Sequence, residues 1–431
     1  MADNRKTPRG RRTGIGKRSA GSVAAVAALA LTSACVGTGA TEGGTSASSV
    51  EPPPEDITAN LSIWSYQDAN AIPAWWTDAI DRFNETYPNV TVETTNIPYA
   101  NMPERLLGSG LSDSIPDGVL YNPADAAKLF EADIIMDLAP FWEDFSDADQ
   151  FPESAVWHHG DAVISVQGHL NTTALWYNQD ILDEVGIEVP KTVAEFSDAL
   201  AAVDAAGYGG FLTGAQPNGS GEFDFFPWLM AYGQNYADWD RDTLIEVFDL
   251  FRDWLDAGYI PQDITGNNEG DNHNQFASGQ WAFVQNGNWN LKAAESDFDF
   301  EWGVAELPEG PDGSHSVGGG EGFSIGADTE HPYLVWALFE EMVLTSDAEL
   351  AALEEDGRLP VRADASADPR MADDPNLAVY ADVVANLGSR PSTPLVGDYL
   401  IAMGTVWNSF VGGAIDAETA ADRIIEQMGE L

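Results

Sequence analysis

From Leu61 the chain alternates apolar and polar positions, with Leu61 and Ile63 on one side of a strand. Trp76, Ile80, Phe83 and Tyr87 then recur at helical spacing, Pro88-Asn89 stops the helix, and Val90 and Val92 alternate again. A strand–helix–strand unit of this length predicts a parallel pair joined by a right-handed crossover. A second helix over about 103–110, a short apolar strand at Gly118–Tyr121 and a helix near 125–130 complete an α/β first part. The pattern changes at 163–178 (VISVQGHLNTTALWYN), which predicts extended chain without helix signals. Thr192 and Glu195 stand at capping-box spacing ahead of a stripe of Val193, Phe196, Leu200 and Val203. A further amphipathic helix covers 242–257, with Leu244, Phe248, Phe251 and Leu255 inward and Gly258 as terminator. A strand at Trp281–Val284 and a helix over about 332–344 follow, and the chain beyond Ser346 reads as mostly helical to Met428. There are no internal repeats.

The N-terminus adds a targeting segment. Basic residues to Arg18 precede an apolar run, 21–31, that is shorter than the roughly 20 residues needed to span a bilayer. The run ends in Leu31-Thr32-Ser33-Ala34-Cys35, and Cys35 is the only cysteine, so no internal disulfide is available to it. These residues resemble a bacterial lipoprotein signal, which implies a signal peptide over 1–34 and lipidation of Cys35. Thr32 departs from the aliphatic residue usual at that place. An ordinary signal peptide cut nearby is the alternative, and Arg11-Arg12 leaves the Sec and twin-arginine routes both open. Residues 35–56, rich in Gly, Ser, Thr and Pro, read as a flexible tether. A lipid on Cys35 would place the folded body on the extracellular face of the cell membrane.

Composition then narrows the function. Hydrophobic residues make up 44% of the 431 and there are 14 tryptophans, so the body is globular with a large core. The net charge of −51 repels nucleic acid and anionic lipid, which makes both poor candidates as partners. The acids are spread along the chain, as expected of a solvated surface or a salty exterior. Only three lysines and nine arginines lie beyond residue 34, too few to favour a phosphate cradle, which weakens a phosphorylated polyol as ligand. No P-loop, EF-hand or zinc spacing occurs, so no metal or cofactor is expected. Adjacent His158 and His159 would diverge on any regular backbone and make a poor metal site.

What remains suits a neutral, hydroxyl-rich ligand, which asks for aromatic platforms and a rim of Asp, Glu, Asn and Gln. Asp68 follows the first strand at its carboxyl end, where open α/β sheets place ligands, and Tyr121, Asn122 and Asp125 share that logic after the next strand. Trp289 stands in a turn-rich setting, and Gly318, Gly319 and Gly320 let backbone approach a ligand, with Glu321 beside them. Trp76 keeps register with the buried stripe of its helix, which leaves Trp75 as an exposed platform.

Taken in order, Phe83–Glu93 (FNETYPNVTVE), Pro116–Leu120 (PDGVL), Leu175–Asp180 (LWYNQD), Phe276–Trp289 (FASGQWAFVQNGNW), Gly318–Ile325 (GGGEGFSI) and Leu359–Arg362 (LPVR) carry a resemblance. Over nearly all of the chain after the tether, the sequence resembles the extracellular solute-binding proteins (family 1, maltose and sugar type) of bacterial ABC importers. Gly118 and Lys191 are minor departures from the family pattern. The resemblance implies an α/β, two-lobe periplasmic-binding-protein-like fold (type II) with the ligand cleft between the lobes. The lobes would comprise 57–168 and the return at 305–345 for the first, and 169–304 with most of 346–431 for the second. Chain crossings are expected at 163–171, 305–313 and 344–348. By resemblance Trp289 matches the sugar-stacking tryptophan, Trp228 a ligand-lining position, and Asn171 lies in the first crossing. The implied function is capture of a neutral sugar, an oligosaccharide foremost, by a monomer that delivers it to ABC permease transmembrane subunits. The alternatives are a secreted glycoside hydrolase, which needs two carboxylates in the cleft, or a binder of another solute such as a polyol.

Overall fold

The computed structural model describes residues 51–66, 72–112, 114–388, 390 and 393–428. The signal peptide, Cys35, most of the tether and the candidate Asp68 lie outside the described residues.

Two sheets organise the body. The first is built early: β1 (Ala59–Ser65) pairs in parallel with β2 (Val90–Asn96) across the Ala74–Thr86 helix, and with β3 (Gly118–Tyr121) on its other side. The hairpin β4 (Val156–His159) and β5 (Ala162–Gln167) closes the far edge, carrying the two adjacent histidines on separate ion pairs, His158 with Glu153 and His159 with Glu131. The chain then leaves this sheet through β6 (His169–Leu170) and enters β7 (Thr173–Asn178) of the second, so the stretch predicted as extended is three successive strands. β8 (Gly209–Leu212), β9 (Trp281–Gly287) and β10 (Trp302–Ala305) complete a four-stranded second sheet in the order β10-β7-β9-β8. After β11 (Ser316–Val317) the chain returns as β12 (Gly322–Ile325), inserted antiparallel between β3 and β5, which gives the first sheet the order β2-β1-β3-β12-β5-β4. The two-residue strands β13 (Leu359–Pro360) and β14 (Leu387–Gly388) pair with β6 and β11 beside the crossings.

Local chemistry explains these elements. β3 is buried throughout, as expected for a central strand of a mixed sheet, between parallel β1 and antiparallel β12. An added Cβ on Gly118 would lie 2.7 Å from Val335 and 2.9 Å from Phe339, so the glycine at this departure from the family pattern lets the Pro332–Phe339 helix settle on the strand. The Thr192–Glu195 capping box forms as predicted at the head of the Val193–Ala206 helix. Gly258 ends the Arg241–Ala257 helix at φ 81°, a conformation that glycine adopts without penalty.

One difference concerns the second crossing. Residues 306–315 stay with the second sheet, where Glu309 N–H donates to the Lys191 carbonyl and Asp312 N–H to that of Ala231. The chain changes lobes at 318–321, where bare glycine backbone can pass between the two, and the expected 305–313 is a hairpin ahead of it.

Candidate ligand cleft

The cleft's first wall rises from the carboxyl ends of β1 and β3. Tyr66 and Tyr99 meet edge to face, ring centroids 5.4 Å apart. Asn122 donates from Nδ2 to the Tyr99 hydroxyl (3.2 Å), while its Oδ1 accepts from Ala124 N–H and fixes the turn. Tyr121 ends β3 with its hydroxyl 3.0 Å from Ser324 Oγ. With Asp125 these residues face Asn218 and Gly219 at the start of the Gly219–Ala231 helix, and Gly397, Leu400 and Ile401 of the Val396–Val411 helix. The cavity they share measures about 60 Å³. Burial drives the Asp125 carboxyl up to about 6, helped by nearby Asp398 and opposed by Lys128. Lys128 pairs with Asp398 across the cleft at 2.9 Å.

The floor is made by the crossings. Gly319 and Asn171 exchange backbone hydrogen bonds (2.7 and 3.2 Å), and Gln167 Nε2 donates to the Gly319 carbonyl at 2.7 Å. Gly320 sits at φ 122°, and an added Cβ there would lie 2.1 Å from the His169 carbonyl oxygen, so no other residue fits without displacement. Glu321, 2% exposed, holds Arg358 at 2.5 Å. Arg358 also reaches Asp356 (3.2 Å), which accepts from Trp75 Nε1 at 2.8 Å. Asn171 Nδ2 donates to the Glu321 carboxylate at 3.3 Å, and Asn288 Nδ2 donates to Asn171 Oδ1 at 3.3 Å.

Trp289 lies just past β9 and remains half-buried, its ring 6.1 Å from that of Phe223 at an interplanar angle of 43°. Phe223, on the Gly219–Ala231 helix, reaches back to the floor: a Cβ on Gly319 would lie 3.0 Å from its ring. The Arg390 guanidinium sits 5.4 Å over Phe223, ion-paired with Glu222 and donating to the Gly318 carbonyl at 2.8 Å.

Tyr121, Asn122 and Asp125 therefore gather on one wall, Asn171, Gly319, Gly320 and Glu321 in the floor, and Trp289 beside Phe223. Two expected ring platforms lie elsewhere. Trp228 is 1% exposed in the second lobe's core, with Nε1 donating to Gln285 Oε1 at 2.9 Å; its neighbours Phe196, Phe211 and Phe251 enclose it. Trp75 is 3% exposed rather than a free face, because Glu355, Asp356 and Arg358 fold over its helix from the far end of the chain. Tyr66, Tyr99, Phe223 and the two floor arginines were not among the expected residues. Tyr66 and Phe223 carry the same signal as Asn122, a position just past a strand's carboxyl end or in the first turns of the helix that follows. The arginines give no local signal.

Two α/β sheets linked by paired crossing strands, with a cleft of rings, amides and hydroxyls at that linkage, define a two-lobe solute-binding fold. Residues 78–379 match the family model of the bacterial extracellular solute-binding proteins, and the chain belongs to that family. Solved structures with the same fold include the GacH receptor of Streptomyces glaucescens GLA.O, determined unliganded and with acarbose (TM-score 0.77, 19% identity, 87% of this chain and 98% of that one). Maltose-bound MalE3 of T. maritima is similar (0.77, 18%, 86% and 100%), as is Lmo0181 of Listeria monocytogenes in complex with cycloalternan (0.73, 15%, 86% and 100%).

Proposed function

We propose that the protein captures a neutral sugar, an oligosaccharide foremost, between its lobes and delivers it to the permease subunits of an ABC importer. On this reading it works as a monomer, held at the outer face of the cell membrane by a lipid on Cys35. The observation that carries the ligand class is the pairing of the cleft's cations. Arg390 is committed to Glu222 and Arg358 to Glu321, which leaves the site rings, amides and hydroxyls rather than spare positive charge. Tilted Phe223 and Trp289 offer two apolar faces to the C–H surface of a sugar, beside Tyr66, Tyr99 and Asn122. The acarbose, maltose and cycloalternan held by the similar structures support the same class.

Small-molecule sites generally need about 300–1,000 Å³. The cavity of about 60 Å³ is far below that, so entry requires the lobes to part at the 318–321 and 168–172 crossings. A hydrolase would need a second free acid beside Asp125, whereas nearby Asp398 is paired with Lys128, and Glu222 and Glu321 are both held by arginine.

A glycan panel read by thermal shift, followed by calorimetry on each hit, tests the proposal. At least one oligosaccharide should bind at micromolar affinity or tighter with a change in tryptophan fluorescence and no release of reducing ends. Trp289→Ala and Phe223→Ala should each weaken that binding about tenfold or more while the unfolding midpoint moves little. Affinity unchanged in both variants would remove the rings from the site.

A further inference from the structure

One glycine of the second lobe stands in an ordinary conformation, yet no side chain fits on it. Gly287 ends β9 opposite Thr173 of β7, at φ −97° and ψ 158°, an extended geometry that any residue adopts. A Cβ added there would lie 2.2 Å from both Cζ3 and Cη2 of Trp289 and 2.4 Å from its Cε3. Carbon atoms in contact normally stay roughly 3.5–4.0 Å apart. Near-equal spacing to three adjacent ring carbons means that the backbone meets the broad face of the indole, since an edge-on approach would favour one carbon. The obstacle to a side chain is the ring, not the conformation of the strand.

Buried amides hold the backbone beneath the ring from both sides. Asn286, fully buried, accepts at Oδ1 from Gly287 N–H (2.8 Å) and from Asn290 Nδ2 (2.7 Å). Its Nδ2 donates to His273 Nδ1 at 3.3 Å, and His273 Nε2 lies 3.1 Å from Asp297 Oδ2. The Asn286 carbonyl accepts from the Tyr380 hydroxyl at 2.9 Å. Asn288, fully buried as well, accepts from Thr172 N–H (2.8 Å) and donates to the Gly357 carbonyl (2.8 Å). Displacing Gly287 would leave buried donors and acceptors unsatisfied, whereas Trp289 is only half-buried, so the ring is the part that yields.

We propose that Gly287 is the positioning residue for Trp289: its bare backbone bears one face of the indole, sets the tilt of the ring against Phe223, and leaves the other face to a ligand. For that ligand the proposal rests on the sugar reading of the cleft, which it deepens. A methyl group at position 287 would displace the ring by more than about 1 Å, enough to change a stacking contact.

Fluorine NMR of the full chain labelled with 5-fluorotryptophan tests this, with the Trp289 signal assigned by its loss in Trp289→Phe. Gly287→Ala should shift that signal and leave the other tryptophan signals in place. Affinity for the best-bound oligosaccharide of the panel should fall about fivefold or more in Gly287→Ala. The same change made in Trp289→Phe should add less than about twofold, because phenylalanine lacks the outer ring carbons that meet position 287. A Trp289 signal that coincides with the wild type, or equal losses of affinity in the two backgrounds, overturns the proposal. If Gly287→Ala does not fold, the substitution should still fold in Trp289→Phe; failure there places the conflict in the strand and overturns the proposal too. A wild type that binds no sugar sinks the cleft reading alone, and the fluorine signal still decides what positions the ring.

Discussion

Glu321 stands at the point where the sequence and the structure assign different work to one carboxylate, and replacing it by glutamine separates the two. The side chain is 2% exposed, and its partner Arg358 is 8% exposed, with the guanidinium 2.5 Å from Glu321, 3.2 Å from Asp356 and 5.7 Å from the centre of the Trp75 ring. Removing one member of a buried ion pair costs roughly 3–5 kcal/mol, because the other charge is left without compensation. Asp356 remains beside Arg358 and the glutamine amide oxygen can still accept, so we expect a loss of about 2–3 kcal/mol. Against a total stability on the order of 5–15 kcal/mol, such a loss shifts a urea midpoint clearly. Arg358→Met alone should cost a similar amount, and the double variant little more than either single one, leaving a coupling energy of at least about 1 kcal/mol in the cycle. Urea unfolding followed by tryptophan fluorescence measures all four corners. A Glu321→Gln variant within about 0.5 kcal/mol of wild type, with sugar affinity reduced, would return Glu321 to the role of ligand contact and refute the structural one.

Two further outcomes follow from the cleft. Gly320→Ala must accommodate φ 122° and a contact of 2.1 Å with the His169 carbonyl, so it should cost about 2–4 kcal/mol; Gly160→Ala, at φ 61° with open space around it, should cost only about 1 kcal/mol. Equal losses in the two would show that the crossing tolerates a side chain. Asp125 has its carboxyl raised from 3.8 to about 6, so the wild type loses stability as pH rises from 4 to 6. Asp125→Asn should match the wild type at pH 4 and exceed it at pH 8, as read by urea midpoints at both pH values.

Much of the architecture is legible because its causes are local. The β1–helix–β2 unit, the capping box at Thr192 and the Gly258 terminator each rest on residues within a few positions of one another. The errors share a different cause. Helical register assigns Trp76 inward and Trp75 outward, and it holds for one layer of packing, but the Ser346–Asp356 helix and its exit bring a second layer over Trp75. Trp228 sits among residues that suit a core equally well, and only the closure of Phe196 and Phe251 around it decides the matter. The crossing moves to 318–321 because Glu309 and Asp312 find partners near Lys191 and Ala231, pairings more than 70 residues apart in the chain. Of the expected site residues, those placed by strand ends (Tyr121, Asn122, Asp125) reach the cleft, since a strand's carboxyl edge is a position that local pattern can locate.

The reciprocal bonds between Gly319 and Asn171 bear on the thermodynamics of capture. Two straps stitched side by side would resist sliding and twisting more than bending, so lobes that part on the proposed reading would swing about a single axis rather than wander. A joint restricted in this way has surrendered most of its orientational freedom before any ligand arrives. Less entropy is then lost on closing, and more of the contact energy is left to appear as affinity.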